Sequence, residues 1–538
     1  VKPSRFIGFL AVAIPFGSAL IVWLSALAFV PVPWPDDSAF YFVARDLFRW
    51  PPRWVMLTQA PFEPTYAIWN FNTMPLYPIL IGLGRWIGID GSFGLKFWPL
   101  VAWAAAGALA ARSLWKAKAP WPVVLLIALL FAADPILRWS SVLIRPESLI
   151  GLLGVALVCG LTLGFPRRFE PGRFWDPVAA LFAIGAYAHF NAIHLVFPAT
   201  IGILATDPRP FKRMVQITGK TLLYLSPWIF TVLLKPSLFI HQMTLQWTRL
   251  AIPNPWLSSF RSAAGALFQS MGSPAPWHPA LIYTGITFGL LTVASVVSLG
   301  LFATKRKGNT LVVSAAWFLS AIWLWHTKPE VWFVHYMHVA GWTLAGFLLL
   351  EAHRSSARLK GINWVYSTGL LIALATVVVF EWTDYHQLQA LTQRGSYSWS
   401  RSTYADFVDC ISTRLKTYEA KLGNPRPFRV WAPTFPDITI ELSLRHPDWE
   451  FTRTNDFASR DALAIEHAKR VEAVVIPETI NLEQRVISAP WSEHPEIRSV
   501  WLDWPGYYLH RLATLEGWKS ERYLCQRGRW AGFILMNP

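Results

Sequence analysis

Two adjacent carboxylates, Asp36 and Asp37, follow an apolar run over residues 6–30 in the stretch Pro35-Asp36-Asp37-Ser38-Ala39-Phe40-Tyr41. Ionisable groups at the end of a spanning helix are costly unless a cation, a metal or a substrate meets them. Such a carboxylate can act as a general base, taking the proton from a hydroxyl as its oxygen attacks. The plainer alternative is a solvated loop in which Ser38 or either aspartate caps the next helix. On a helix two neighbouring side chains point about 100° apart, so both cannot reach one hydroxyl. A helix starting near Ser38 places Asp37 at its N-cap, which favours an orienting role for Asp37 and leaves Asp36 as the base.

Three further groups have the right chemistry. Arg145-Pro146-Glu147 stands where an apolar run resumes, and a charged pair there needs compensation, from each other or from a ligand. His189, Asn191 and His194 form a second polar cluster, with the histidines five residues apart, a poor same-face pair on one helix. They are candidates for acceptor or sugar contacts, against an ordinary hydrogen-bonded role. A metal there would need carboxylates from elsewhere, and a divalent ion is left open. Lys328, in the connection His326-Thr327-Lys328-Pro329-Glu330, is a fixed cation suited to phosphate, against the alternative of a snorkelling interfacial lysine. Tyr336 follows in the next helix, and Arg261 is a further cation in a long loop.

The elements that must position these residues are apolar helices. Of 538 residues 54% are hydrophobic and 15% charged, against roughly 25% charged in soluble domains. With a mean hydropathy of +0.34, the composition predicts a polytopic α-helical membrane protein. The 31 Trp and 35 Phe suit interfacial belts and ring-lined cavities. The formal charge of +16 fits Lys/Arg on cytoplasmic loops and contact with membrane lipids; no nucleic-acid-binding signature accompanies it. Lys2 and Arg5 place the N-terminus inside and Asp36 outside. The 6–30 run is too long for a removable signal peptide and reads as a permanent span.

The segment 75–89 starts at a proline and covers about 22 Å as a helix, too short to cross. Treating it as re-entrant or interfacial puts every later basic cluster inside. The result is about 11 crossings over residues 1–383, with short, broken spans expected around His189. A long external loop over 236–278 is amphipathic enough to lie on the surface or over a cavity. Residues 384–538 are polar with alternating helix and strand signals, which predicts a C-terminal α/β domain on the same side as Asp36. Cys410 and Cys525 in that tail can pair if the compartment is oxidising, whereas Cys159 lies in an apolar run.

Carboxylates, cations and aromatic rings beside lipid are what glycosyl transfer from a lipid-phosphate sugar requires. In this order the chain resembles the GT-C superfamily of polyprenyl-phosphate-sugar-dependent glycosyltransferases, near the protein O-mannosyltransferases and the lipid A aminoarabinose transferases. The resemblance is carried by Asp36-Asp37 followed by Phe40-Tyr41, by Pro75-Leu76-Tyr77, by Glu147 in Arg145-Pro146-Glu147, and by the late Lys328 and Tyr336. It departs from mannosyltransferases in having Asp-Asp for Asp-Glu, and from the lipid A enzymes in having Ala39 where they place an arginine. The resemblance implies an inverting enzyme of the bacterial inner (cytoplasmic) membrane that acts on an extracytoplasmic glycan, lipid or protein. Asp36, Asp37 and Glu147 would be catalytic. Lys328, Arg145, Tyr336 and Arg261 would hold the donor phosphate, and Tyr41, Tyr77, His189 and His194 would contact sugar or acceptor. A transporter or flippase of a lipid-linked amphiphile is the competing class; it predicts inverted repeats and mid-membrane polar sites, whereas no repeat is evident and the polar groups gather at one face.

Overall fold

A computed structural model describes residues 5–31, 35–56, 64–164, 175–250, 279–305, 310–327, 331–356, 398–399, 401–423, 427–432, 437–452, 466, 468–478, 518–525 and 530–536. The first helix, α1 (Arg5–Phe29), has 25 residues, about 37 Å of rise against a hydrocarbon core of about 30 Å. A two-residue strand, β1 (Val30–Pro31), links it towards α2 (Pro35–Leu47). Then follow α3 (Leu76–Trp86), α4 (Gly91–Gly94), α5 (Phe97–Lys116), α6 (Trp121–Ala133), α7 (Pro135–Ser140) and α8 (Glu147–Leu163). The second half of the bundle contains α9 (Pro177–Ala188), a 3-10 helix (Phe190–Leu195), α10 (Val196–Thr206), α11 (Pro210–Tyr224), α12 (Ser226–Leu234) and α13 (Pro236–Leu250). It ends with α14 (Pro279–Lys305), α15 (Thr310–Thr327) and α16 (Val331–Ser356).

Among the described residues, Arg5–Leu24 and Gly91–Lys116 are each long and apolar enough to cross a bilayer. Several helices between and after them are shorter, α3, α6, α9 and α10 among them, whereas α14 and α16 have 27 and 26 residues. α3 has 11 residues, in keeping with a segment that does not span. The chain turns at His189 between α9 and the 3-10 helix, matching the expected short pair. The span expected over 215–235 is instead two helices bent by 61° at Leu225, where Pro227 removes an N–H from the first turn of α12. The expected span over 362–381 lies outside the described residues.

Helix α5 is the hub, packing on α1, α6 and α8, while α16 packs on α15 and α8. Close approach depends on small residues. A Cβ on Gly154 of α8 would stand 2.1 Å from Trp317 Cζ2 of α15. The amphipathic loop helix α13 is docked on the first loop by one fully buried side chain. Gln242 Oε1 accepts the Phe71 N–H (2.8 Å), and its Nε2 donates to Trp69 O (2.8 Å) and Thr65 Oγ1 (3.2 Å).

The C-terminal residues carry β2 (Ser398–Trp399), α17 (Arg401–Leu422), β3 (Arg429–Trp431), α18 (Thr439–Arg445), β4 (Glu450–Thr452), β5 (Ala473–Glu478), β6 (Lys519–Cys525) and β7 (Trp530–Met536). Five of these strands form a mixed sheet in the order β4-β3-β5-β7-β6, parallel across β4-β3-β5 and antiparallel beyond. The helix expected over 460–471 and the strand expected over 500–502 fall largely or wholly outside the described residues.

This sheet unit meets the bundle at the end where α1 gives way to α2. β1 pairs antiparallel with β2, joining Val30 to Trp399. α18 packs on α2 and α4, and Glu441 Oε1 accepts the Ser92 N–H at 2.7 Å. Gly91 beside it has φ +79°, and a Cβ there would lie 3.2 Å from the same Glu441 oxygen, so the contact favours glycine twice over. Phe42 and Phe451 complete the junction with ring centroids 6.4 Å apart.

Candidate active site

The site is built where α2, α3, the loop before α8 and the first turns of α16 meet. Helix α2 starts at Pro35 and not near Ser38, so Asp37 lies inside its first turn instead of at an N-cap; it is fully buried, and its Oδ1 accepts the Ile144 N–H at 2.9 Å. That bond ties the first acidic loop to the segment immediately preceding Arg145. Arg145 and Glu147 are buried together, with the Arg145 Nε and Nη2 donating to Glu147 Oε1 at 3.1 and 2.9 Å. Glu147 Oε2 is buried without a hydrogen-bond partner among the described residues. An unsatisfied carboxylate oxygen in such a place costs on the order of 1–3 kcal/mol or more.

Tyr77, on the first turn of α3, stands in the field of Asp37, Glu147 and Arg145. Its hydroxyl faces the Arg145 main chain without a bond of full hydrogen-bond geometry. Phe40 holds the Tyr77 ring edge-on at 5.4 Å. From the other side comes Tyr336 of α16, also buried, close to Glu147 and Arg145 and with Asn191 beside its hydroxyl. Residues taken from four separate places in the sequence are thus brought to one buried cluster: Asp37, Tyr77, Arg145 with Glu147, and Tyr336.

The remaining candidates sit differently. His194 packs 4.9 Å from Tyr336, but both its nitrogens are engaged, Nδ1 with Asn191 O (2.6 Å) and Nε2 with Trp317 Nε1 (3.2 Å). His189 caps the 3-10 helix by accepting the Asn191 N–H at 3.1 Å. Tyr41 lies under the Arg85 guanidinium (4.9 Å) and beside Ser443 of α18, at the junction with the C-terminal unit. Burial raises the Tyr41 hydroxyl above its ordinary pKa despite the opposing Arg85 charge, so it is protonated. Asp36 belongs to α2, but its side chain is not among the described ones; Lys328 and Arg261 are outside the described residues altogether.

Two features escaped sequence reasoning. Lys96, at the head of α5, is 0% exposed, in electrostatic contact with Asp37 and 5.4 Å from the centre of the Phe93 ring. Its signal was present: it is the one charged residue between Asp90 and Arg112. The other is a clamp on α16. Asp134 Oδ2 accepts from His338 Nδ1 and Trp342 Nε1, each at 2.6 Å, and its Oδ1 accepts the Leu137 N–H at 2.9 Å. One helical turn earlier, Ser140 Oγ bonds His335 Nδ1 at 2.7 Å. These bonds hold the first half of α16, and so Tyr336, against the loop that carries Arg145 and Glu147. Among the described residues no group of three or more His, Cys, Asp or Glu is arranged to hold a metal ion.

Assembled in this way, the chain is mostly helical, and its described residues include helices long and apolar enough to cross a membrane. It is similar over nearly its whole length to solved structures at low identity. ArnT from Cupriavidus metallidurans bound to undecaprenyl phosphate matches at TM-score 0.57 and 14% identity, covering 97% of each chain. The same protein in the apo state matches at 0.56 and 12%, over 99% of this chain and 98% of that one. The archaeal oligosaccharyltransferase AglB from Archaeoglobus fulgidus, in complex with an inhibitory peptide and a dolichol-phosphate, matches at 0.52 and 12%, over 98% of this chain and 74% of that one. No family model matches the chain, and neither does any curated protein sequence. The likeness meets the sequence-based expectation at the level of the fold.

Proposed function

We propose that this chain is an inverting glycosyltransferase of a bacterial inner membrane, moving a sugar from a polyprenyl-phosphate donor to a hydroxyl of an extracytoplasmic glycan, lipid or protein. The observation that carries this reading is the buried convergence of Asp37, Tyr77, Glu147, Arg145 and Tyr336 at the end of the bundle covered by the C-terminal unit. The fold adds weight, because two of the solved structures that share it hold a polyprenyl phosphate.

In the proposed reaction Asp36 removes the proton from the acceptor hydroxyl as that oxygen bonds to the anomeric carbon. The bond from the anomeric carbon to the phosphate oxygen breaks, and its electron pair leaves with the polyprenyl phosphate. Attack opposite the leaving group inverts the anomeric centre. Asp37 anchors the loop: its bond to the Ile144 N–H and its contact with Lys96 fix α2 and therefore its neighbour Asp36. The buried, unpartnered Oε2 of Glu147 and the Tyr77 hydroxyl suit the orientation of acceptor or sugar hydroxyls. Cations stabilise a departing phosphate, a role we assign to Lys328 and Arg261, with the Arg145–Glu147 pair and Tyr336 forming the wall beside it.

The test is single-turnover transfer in proteoliposomes with a radiolabelled undecaprenyl-phosphate sugar and variants shown to bind donor normally. Asp36→Asn is expected to slow transfer about 10²–10⁴-fold, the usual worth of a general base. Abolition by Asp37→Asn with Asp36→Asn near wild type would reverse the two roles. Transfer unaffected by either change, or by Glu147→Gln, would end the reading.

A further inference from the structure

A concavity lies away from this cluster, in the C-terminal unit. It is a groove of about 640 Å³ between the middle of α17 and the end of α18, within the range of small-ligand sites. Its lining includes Ser412, Lys416, Thr417 and Lys421 from α17 and Arg445 and His446 from α18; no lining residue is acidic. Its other lining residues are Thr413 and Ala420, so no large apolar side chain offers a seat for an acyl chain.

The floor is organised. His446 stacks on Trp449 with ring centres 3.8 Å apart and planes 9° from parallel, and its Nε2 bonds Ser412 Oγ at 2.7 Å. Trp449 is fixed in turn by donating to Glu419 at 3.0 Å. The α17 wall is held as well: Cys410 is disulfide-bonded, and Arg414 pairs with Glu521 of β6. Burial, with Lys416 and Arg445 opposing protonation and Asp448 favouring it, holds His446 below its ordinary pKa, so the ring is neutral at pH 7.

The charges are unequal in kind. Arg445 is tied to Asp409 at 3.0 Å, whereas neither Lys416 nor Lys421 has an ion-pair partner among the described residues. Unpaired lysines on a helix face are ordinarily solvated and nothing more. Here they flank a pinned imidazole and hydroxyls already bonded within the protein, Thr417 donating to Thr413 O at 2.9 Å and Ser412 bonded to His446, so the groove offers a phosphate two ammonium groups and a sugar's hydroxyls oxygen acceptors.

We propose that this groove binds a phosphorylated saccharide, with Lys416 and Lys421 on the phosphate and the hydroxyls of Ser412 and Thr417 near the ring. The proposal does not depend on glycosyl transfer, and its test measures binding alone. The full-length protein in detergent is titrated calorimetrically with glucose 6-phosphate, glucose and inorganic phosphate. Glucose 6-phosphate is expected to bind at least tenfold more tightly than either part. Raising salt from 50 to 500 mM should weaken it severalfold. The variant Lys416→Glu/Lys421→Glu, which changes two exposed side chains and should fold normally by circular dichroism, should lose at least tenfold in affinity. Displacement of glucose 6-phosphate by vesicles containing phosphatidylinositol phosphate would support the site with a lipid-linked source. Displacement by a soluble phosphorylated oligosaccharide alone would support it with a free one. Undiminished binding to the variant would overturn the proposal. So would inorganic phosphate matching glucose 6-phosphate, which would leave only a cationic patch.

Discussion

At the scale of residues, the Arg145–Glu147 pair is the most exacting feature, because both charges are withdrawn from water and lean on each other. Breaking such a pair from one side leaves an uncompensated buried charge, typically about 3–5 kcal/mol. Glu147→Gln should therefore lower the melting temperature in detergent far more than the double change Arg145→Met/Glu147→Leu, and scanning fluorimetry would compare the two. A similar test applies to Lys96 and Asp37. If they act as a unit, the double variant Lys96→Met/Asp37→Asn should be more stable than the sum of the single changes predicts, by on the order of 0.5–3 kcal/mol. Additive effects would separate them. The acidic pair and Arg145-Pro146-Glu147 were legible because charges that interrupt apolar runs stand out in a sequence. The pairing of Arg145 with Glu147 was one of the two readings open in the sequence, whereas the bond of Asp37 to the main chain of Ile144 could not be read, because it depends on a fold that joins residues 107 apart.

At the scale of elements, the fit of α8 and α16 to their neighbours decides where the site residues stand. Gly154→Ala would drive a methyl into Trp317, whose indole also donates to His194. Overpacking of that kind costs typically about 1–3 kcal/mol. The expected signature is a lower melting temperature with donor affinity reduced through displacement of Tyr336; an unchanged melting temperature would mean that Trp317 moves freely. Asp134→Ala should act on the same helix by stranding the N–H groups of His338 and Trp342, each worth about 1–3 kcal/mol when left unsatisfied. The helices themselves were largely foreseeable from apolar runs and prolines, including the short α3 and the break at His189. The break at Leu225 was not, since the residues around it are apolar on both sides and only Pro227 hints at it. The clamp on α16 was invisible for another reason: an aspartate and a histidine 204 residues apart give no local signal.

At the scale of the whole molecule, the pairing of β1 with β2 puts the C-terminal sheet at the end of the bundle that carries Asp36 and Asp37. Single cysteines in place of Trp50, which is 92% exposed, and Thr413 should then be blocked by a membrane-impermeant maleimide from one side. A cysteine in place of Arg112 should react only from the other. Labelling of positions 50 and 413 from opposite sides would refute the arrangement. Cys410 is disulfide-bonded and Cys159 is free, and the expectation from the sequence is that Cys525 is the partner of Cys410. A non-reducing peptide map should join the Cys410 and Cys525 peptides, and its absence in protein purified without reductant would remove the case for an oxidising compartment.

The bond between Ser92 and Glu441 spans 349 residues of chain. During synthesis at about 5–20 residues per second, the first loop therefore waits on the order of tens of seconds before the segment that covers it exists. Until then α2 and α4 have no partner on that face, and the acidic pair is open to whatever occupies the nascent protein's surroundings. The covered form of that loop is consequently a late event in the life of each molecule. A ribosome that stops before residue 441 leaves a chain with most of its apolar helices made and without the segment that packs on α2 and α4.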